Sequence, residues 1–170
     1  LPYVAPNVIL SLDDSGSMNE KDMALKDPSK PYDKDKNPYT KTRIQVLQDA
    51  LKEVFNDKDL LPDKKIRMAW QSFGLHPAVE NKDGWNRSDC VSVSGLKLES
   101  LSNSVASKSD IANSMRILDS THRKNLIDYA KALKACTSTP THWLVKQADE
   151  YMRADLHKNG PWADKPTEKL

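Results

Sequence analysis

NVILSLDDSGSM, residues 7–18, is the stretch whose reading decides the fold. Val8, Ile9, Leu10 and Leu12 form a short apolar run that ends in an acid, the pattern of a central parallel strand covered on both faces. Directly after it, three oxygen-bearing side chains alternate along the chain: Asp13, Ser15 and Ser17. In an open α/β sheet, the carboxyl end of such a strand is where ligands bind. One carboxylate with two hydroxyls is a hard-oxygen donor set, suited to Mg²⁺, Ca²⁺ or Mn²⁺ rather than to zinc or copper. Hydroxyls are neutral, so they fill coordination positions without cancelling the charge of an ion. Turns rich in serine and aspartate also cap helices; the position after an apolar strand is what favours a ligand site.

Outward from this point, residues 19–42 hold Pro28, Pro31 and Pro38 among Lys, Asp, Asn and Tyr. They show no periodicity and read as a long insertion loop. Ile44, Leu47, Leu51 and Val54 then recur at helical spacing, which predicts an amphipathic helix over 43–56. KIRMAWQSF, residues 65–73, is the next strand. The region 75–108 is less regular, with a short strand or hairpin near 91–98, and Ser109 caps a short helix at 110–118. Ser120 or Thr121 precedes a stronger helix carrying Leu126, Ile127, Ala130 and Leu133 on one face. A last helix starts at Pro140, with Leu144, Ala148, Tyr151 and Met152 turned inward. The order of elements predicts an α/β domain with a largely parallel sheet.

At 170 residues the chain suits one ordinary domain. Its 26 Lys and Arg against 24 Asp and Glu leave a net charge of +2, with no long basic run. Nucleic acid is therefore not the expected partner. No apolar stretch reaches the roughly 18 residues of a membrane span. The opening LPYVAPN lacks a signal-peptide pattern, so the chain is expected to begin after any such segment. Cys90 and Cys136 fit either two buried thiols or one disulfide. Asp33, Asp35 and Asn37 copy the start of a calcium-binding loop. Pro38 then replaces the required glycine, and Ile44 stands where the bidentate glutamate belongs, so the segment reads as a solvated loop. His76, His122, His142 and His157 have no zinc-like spacing.

NVILSLDDSGSM resembles the first motif of the metal-ion-dependent adhesion site of von Willebrand factor A domains. The resemblance implies a Rossmann-like A domain: a mainly parallel sheet flanked by helices, with Asp13, Ser15 and Ser17 binding a divalent cation. Mg²⁺ stands ahead of Ca²⁺ and Mn²⁺. The family's second loop supplies a threonine before a helix, and Thr139 in Ser138-Thr139-Pro140-Thr141-His142 matches it, with Pro140 at the first helical position. Thr139 as a simple helix cap, and Thr141 as the ligand, are the other readings. DPSKPYDKDKNPYT (27–40), the helix opening at Thr42-Arg43-Ile44 and STPTHWLVKQADEYM (138–152) are similar to the PilC/PilY group of type IV pilus-tip adhesins. That similarity implies an extracellular module at the pilus tip, working in adhesion, pilus biogenesis and surface-associated motility. It also implies a C-terminal β-propeller in the full-length protein, and a protein partner that offers a carboxylate, whether host surface receptor or pilus subunit.

The sequence departs from the family at one place. The third metal loop carries an Asp in a Thr-Asp-Gly stretch, and no Thr-Asp-Gly occurs here. Residues 1–170 are thus expected to be the N-terminal part of an A domain, incomplete at its C-terminal end. The extracellular resemblance favours a Cys90–Cys136 bridge, worth about 3–4 kcal/mol in the chain-entropy model; a cysteine beyond Leu170 is the alternative partner. An enzyme is not expected. A haloacid dehalogenase-like hydrolase also opens with an apolar strand ending in Asp, but it needs a second acid where Ser15 stands, and without it the leaving group lacks a proton source. An intracellular A-type assembly module is the other alternative, and reduced cysteines would favour it.

Overall fold

The computed structural model describes residues 5–75, 113–135 and 139–154. Strand β1 (Asn7–Leu12) leads into a 3-10 turn, Gly16–Asn19. Strands β2 (Met23–Leu25) and β3 (Tyr39–Lys41) follow, then helix α1 (Arg43–Asn56) and strand β4 (Arg67–Ser72). Another 3-10 turn covers Phe73–Leu75; then come β5 (Arg116–Ile117), α2 (Ser120–Ala132) and α3 (Thr141–Met152). The fold is α/β, as expected. Its main sheet is mixed, however, not mainly parallel: among the described residues its order is β1-β4-β5, with β1 parallel and β5 antiparallel to β4.

The helices lie on both faces of this sheet. Leu12, Met68, Trp70 and Leu118 face α1 and α2, where Ile44, Leu51, Phe55, Leu126 and Tyr129 complete one core. Ala69 and Met115 face the other way, against Tyr151 of α3. Strand alternation sorts the residues: neighbours in sequence point to opposite faces. β4 is the strand buried on both faces, whereas Asn7 and Val8 of β1 are exposed. The central position expected for β1 thus belongs to β4.

Helix α1 spans the residues that its periodicity predicts. Thr42 caps it in a reciprocal pair: the Gln45 backbone N–H donates to Thr42 Oγ1 at 3.3 Å, and the Thr42 N–H donates to Gln45 Oε1 at 2.9 Å. Its inward stripe is Ile44, Leu51 and Phe55, and Val54 is exposed. At 100° per residue, Phe55 falls within about 20° of the Ile44 direction and Val54 about 80° away. Helix α2 takes neither Ser120 nor Thr121 as its cap; Asp119 does the work, accepting from the His122 N–H at 2.8 Å.

Two expectations need correction. The insertion 19–42 is no featureless loop: β2 and β3 pair antiparallel within it, Met23 opposite Lys41 and Leu25 opposite Tyr39. Residues 113–118 are not helical either. Met115 and Leu118 are buried against opposite faces of the sheet, which strand parity allows and a helix, where residues three apart share a face, does not. The segment 91–98, and both Cys90 and Cys136, lie outside the described residues. Among the described residues no helix is long and apolar enough to cross a membrane.

Candidate functional site

The turn after β1 gathers the three residues singled out at its carboxyl end. Asp13 is exposed, and one of its oxygens accepts the Ser15 backbone N–H at 2.8 Å. That bond closes an Asx turn and bends the chain so that residues 15 and 17 come to one side. Ser15 Oγ lies 3.2 Å from Ser17 Oγ. Ser15 occupies the N-cap position of the 3-10 turn, yet its side chain makes no capping hydrogen bond. Its hydroxyl faces Ser17 instead.

The donor chemistry fits a small hard cation. In an octahedron with Mg–O arms of 2.0–2.1 Å, neighbouring ligand oxygens stand about 3 Å apart, close to the Ser15–Ser17 separation. The remaining lone pairs of the two hydroxyls and the outer Asp13 oxygen are not consumed by the hydrogen bonds of the turn. Among the described residues no three His, Cys, Asp or Glu side chains cluster as a metal site; a set with one carboxylate and hydroxyls does not call for such a cluster.

Thr139 stands just before α3. Its carbonyl accepts the Thr141 N–H at 2.9 Å, and no side chain caps that helix, whose N-cap position is Pro140. The capping role open to Thr139 is therefore not the one it plays. Buried Gln71 of β4 locates the start of α3: its Nε2 donates to the Leu144 carbonyl at 2.8 Å and to Ser11 Oγ at 2.9 Å. Gln147 Nε2 adds a bond to Gln71 Oε1 at 3.3 Å. These bonds bring the first turn of α3 to the same sheet end as Asp13–Ser17. No hydrogen bond among the described residues joins the Thr139 side chain to that turn.

One residue of the motif points the other way, and the sequence reading passed over it. Asp14 is buried, and its two oxygens accept the Gly74 N–H at 3.0 and 3.1 Å. The Ser72 hydroxyl also bonds to it, and Ser72 Oγ lies 2.9 Å from the buried Tyr129 hydroxyl of α2. Burial pushes the Asp14 carboxyl up to about 6 against the opposing pull of the Gly74 and Ser72 hydrogen bonds. Burial also raises the Tyr129 phenol well above its ordinary range. The available signal was register: Leu12 and Ser72 are partners at the ends of a parallel pair, so whatever follows each strand must meet.

No known protein family matches the chain, no curated protein is a significant match, and no solved structure is one either.

Proposed function

We propose that the chain is a metal-dependent protein-binding module of the von Willebrand factor A type, and that it binds a partner without catalysing a reaction. Asp13, Ser15 and Ser17 hold a divalent cation, Mg²⁺ in the first place and Ca²⁺ or Mn²⁺ otherwise. Thr139 contributes from the loop before α3. A bound cation supplies an electrophilic point for an anionic oxygen, and the partner brings that oxygen as a carboxylate. The observation that carries the reading is the pair of facing serine hydroxyls beside an exposed aspartate at the carboxyl end of a sheet strand.

The finer setting is an extracellular adhesin at the tip of type IV pili, acting in adhesion, pilus biogenesis and surface-associated motility. What supports it is the similarity of residues 27–40 and 138–152 to that group. A Cys90–Cys136 disulfide belongs to the same reading, and a thiol count on the unreduced protein tests it: two free thiols favour the intracellular assembly module instead. The cation is tested by titrating the protein calorimetrically with Mg²⁺, Ca²⁺ and Mn²⁺, wild type against Asp13→Ala. The expected result is saturable binding to the wild type and none to the variant. Equal heats from both would end the proposal.

A further inference from the structure

The carboxylate between the two outward donors has a separate task. Asp14 is 2% exposed, and every bond it makes runs inward: to the Gly74 N–H, to the Ser72 hydroxyl, and through Ser72 to Tyr129 on α2. An ionised carboxylate only accepts, so the single Ser72 proton goes to Asp14 and the Tyr129 proton goes to Ser72. The order of bonds from helix to turn is thereby set. The β1–β4 register ends at Leu12 and Ser72. Asp14 carries the pairing two residues further, by a side chain, at the point where the ladder has stopped.

Asp13 and Ser15 share the two peptide planes that flank the Asp14 Cα. Those planes are rigid, so a rotation of the chain at Asp14 swings the Asp13 carboxylate and the Ser15 hydroxyl together. We infer that Asp14 is a positioning residue for the donor turn: clamped to Gly74, Ser72 and Tyr129, it sets the direction in which Asp13, Ser15 and Ser17 present their oxygens. The inference rests on the reading of that turn as a cation site. It adds that the site's geometry is held from behind, by the end of β4 and by helix α2.

The test uses the full chain and Mn²⁺ alone, with free Mn²⁺ followed by electron paramagnetic resonance. Hydrogen exchange at the Ser15 amide is read in parallel on the metal-free protein. Asp14→Ala should weaken Mn²⁺ binding about tenfold or more, the loss typical when a group that orients a metal ligand is removed. Asp14→Asn keeps the shape and one acceptor, so it should stay within about threefold of wild type, short of that loss. Ser72→Ala removes only the link to Tyr129 and should fall between the two; it keeps the question decidable if Asp14→Ala does not fold. Leu133→Ala, a core truncation on the α1–α2 face, should leave Mn²⁺ affinity unchanged. In the metal-free protein, the Ser15 amide should exchange faster in Asp14→Ala while the Ala69 amide of β4 does not.

Wild-type affinity in both Asp14→Ala and Ser72→Ala, with an unaltered Ser15 amide, overturns the inference. So does a loss in Leu133→Ala equal to that in Asp14→Ala, which makes the effect one of global stability. An Asp14→Asn variant as weak as Asp14→Ala assigns the effect to charge and overturns it too. A wild type that binds no Mn²⁺ sinks the cation reading on its own, and the Ser15 amide then still decides whether Asp14 holds the turn.

Discussion

Two segments of this chain are rich in side-chain oxygen, and they use it in opposite ways. In Asp13–Ser17, one aspartate oxygen closes the turn, and the two serine hydroxyls face each other with lone pairs to spare. In Asp27–Asn37, the oxygens are spent on the chain itself. Asp33 Oδ1 accepts the N–H groups of Asp35 and Lys36. Buried Asn37 accepts the Asp27 N–H at 2.7 Å and donates to the carbonyls of Asp27, Lys30 and Pro31 at 2.9–3.0 Å. Composition alone does not separate a ligand site from a well-tied loop; the destination of each hydrogen bond does. The second segment, which copies the opening of a calcium loop, is organised as the cross-link of the β2–β3 ribbon.

The largest effect should come from exchanging the two segments' acids. Asp13→Ala is expected to abolish divalent-cation binding, whereas Asp35→Ala leaves the calorimetric titration unchanged. Cation binding that survives Asp13→Ala and disappears in Asp35→Ala would invert the assignment.

The next effect is electrostatic, and the segments should differ in sign. Asp14 is pushed up to about 6 from an ordinary 3.8, so the folded protein holds this proton more tightly than the unfolded chain does. In the chelator-treated protein, the resulting stability is fully present below about pH 4 and is lost as pH rises through about 6. The change is on the order of 2–3 kcal/mol for a shift of about two units. Asp14→Asn should flatten that part of a pH series of denaturant melts. Asp27 runs the other way: hydrogen bonds from Lys30 and Ser29 hold its carboxyl below the usual range. Its contribution is present above the ordinary carboxylate value and fades as pH falls, and it is small because solvent screens the pair.

Asn37→Ala should cost the β2–β3 ribbon about 2 kcal/mol, since it strands buried backbone groups in the loop. Faster amide exchange at Asp27 and Asn37 would register it, with cation affinity unaltered. The smallest effect belongs to the junction between the ribbon and the helix: Thr42→Ala removes the cap of α1 and should lower global stability by about 1 kcal/mol, seen as a shifted melt. A cation affinity that fell in step with either variant would mean that the two segments are coupled, and the contrast between them would fail.

Much of the fold was legible because periodicity survives in a single sequence. The α1 boundaries followed from Ile44, Leu47 and Leu51, and β1 and β4 from their apolar runs. The ribbon was not legible: two strands of three residues are too short to show alternation, and the residue that ties them, Asn37, reads as an ordinary loop polar group. Residues 113–118 failed for another reason. Met115 and Leu118 fit a helical stripe by spacing, and only the presence of a core on each side of the sheet makes them a strand edge. In the candidate site, the outward oxygens of Asp13, Ser15 and Ser17 were readable from their alternation. The inward Asp14 was not, because its partners Gly74, Ser72 and Tyr129 lie some 60 or more residues away.

By itself, then, the sequence determined the local matters: which segments are helix or strand, and that a carboxylate and two hydroxyls follow the first strand. Those properties depend on spacing along the chain, which composition and period encode directly. Only the tertiary structure decided which strand is central, what the insertion becomes, and that the donor turn is anchored through Asp14 to helix α2. These depend on which distant groups share a buried space, where an acid must find partners or stay protonated, and no local pattern carries that information.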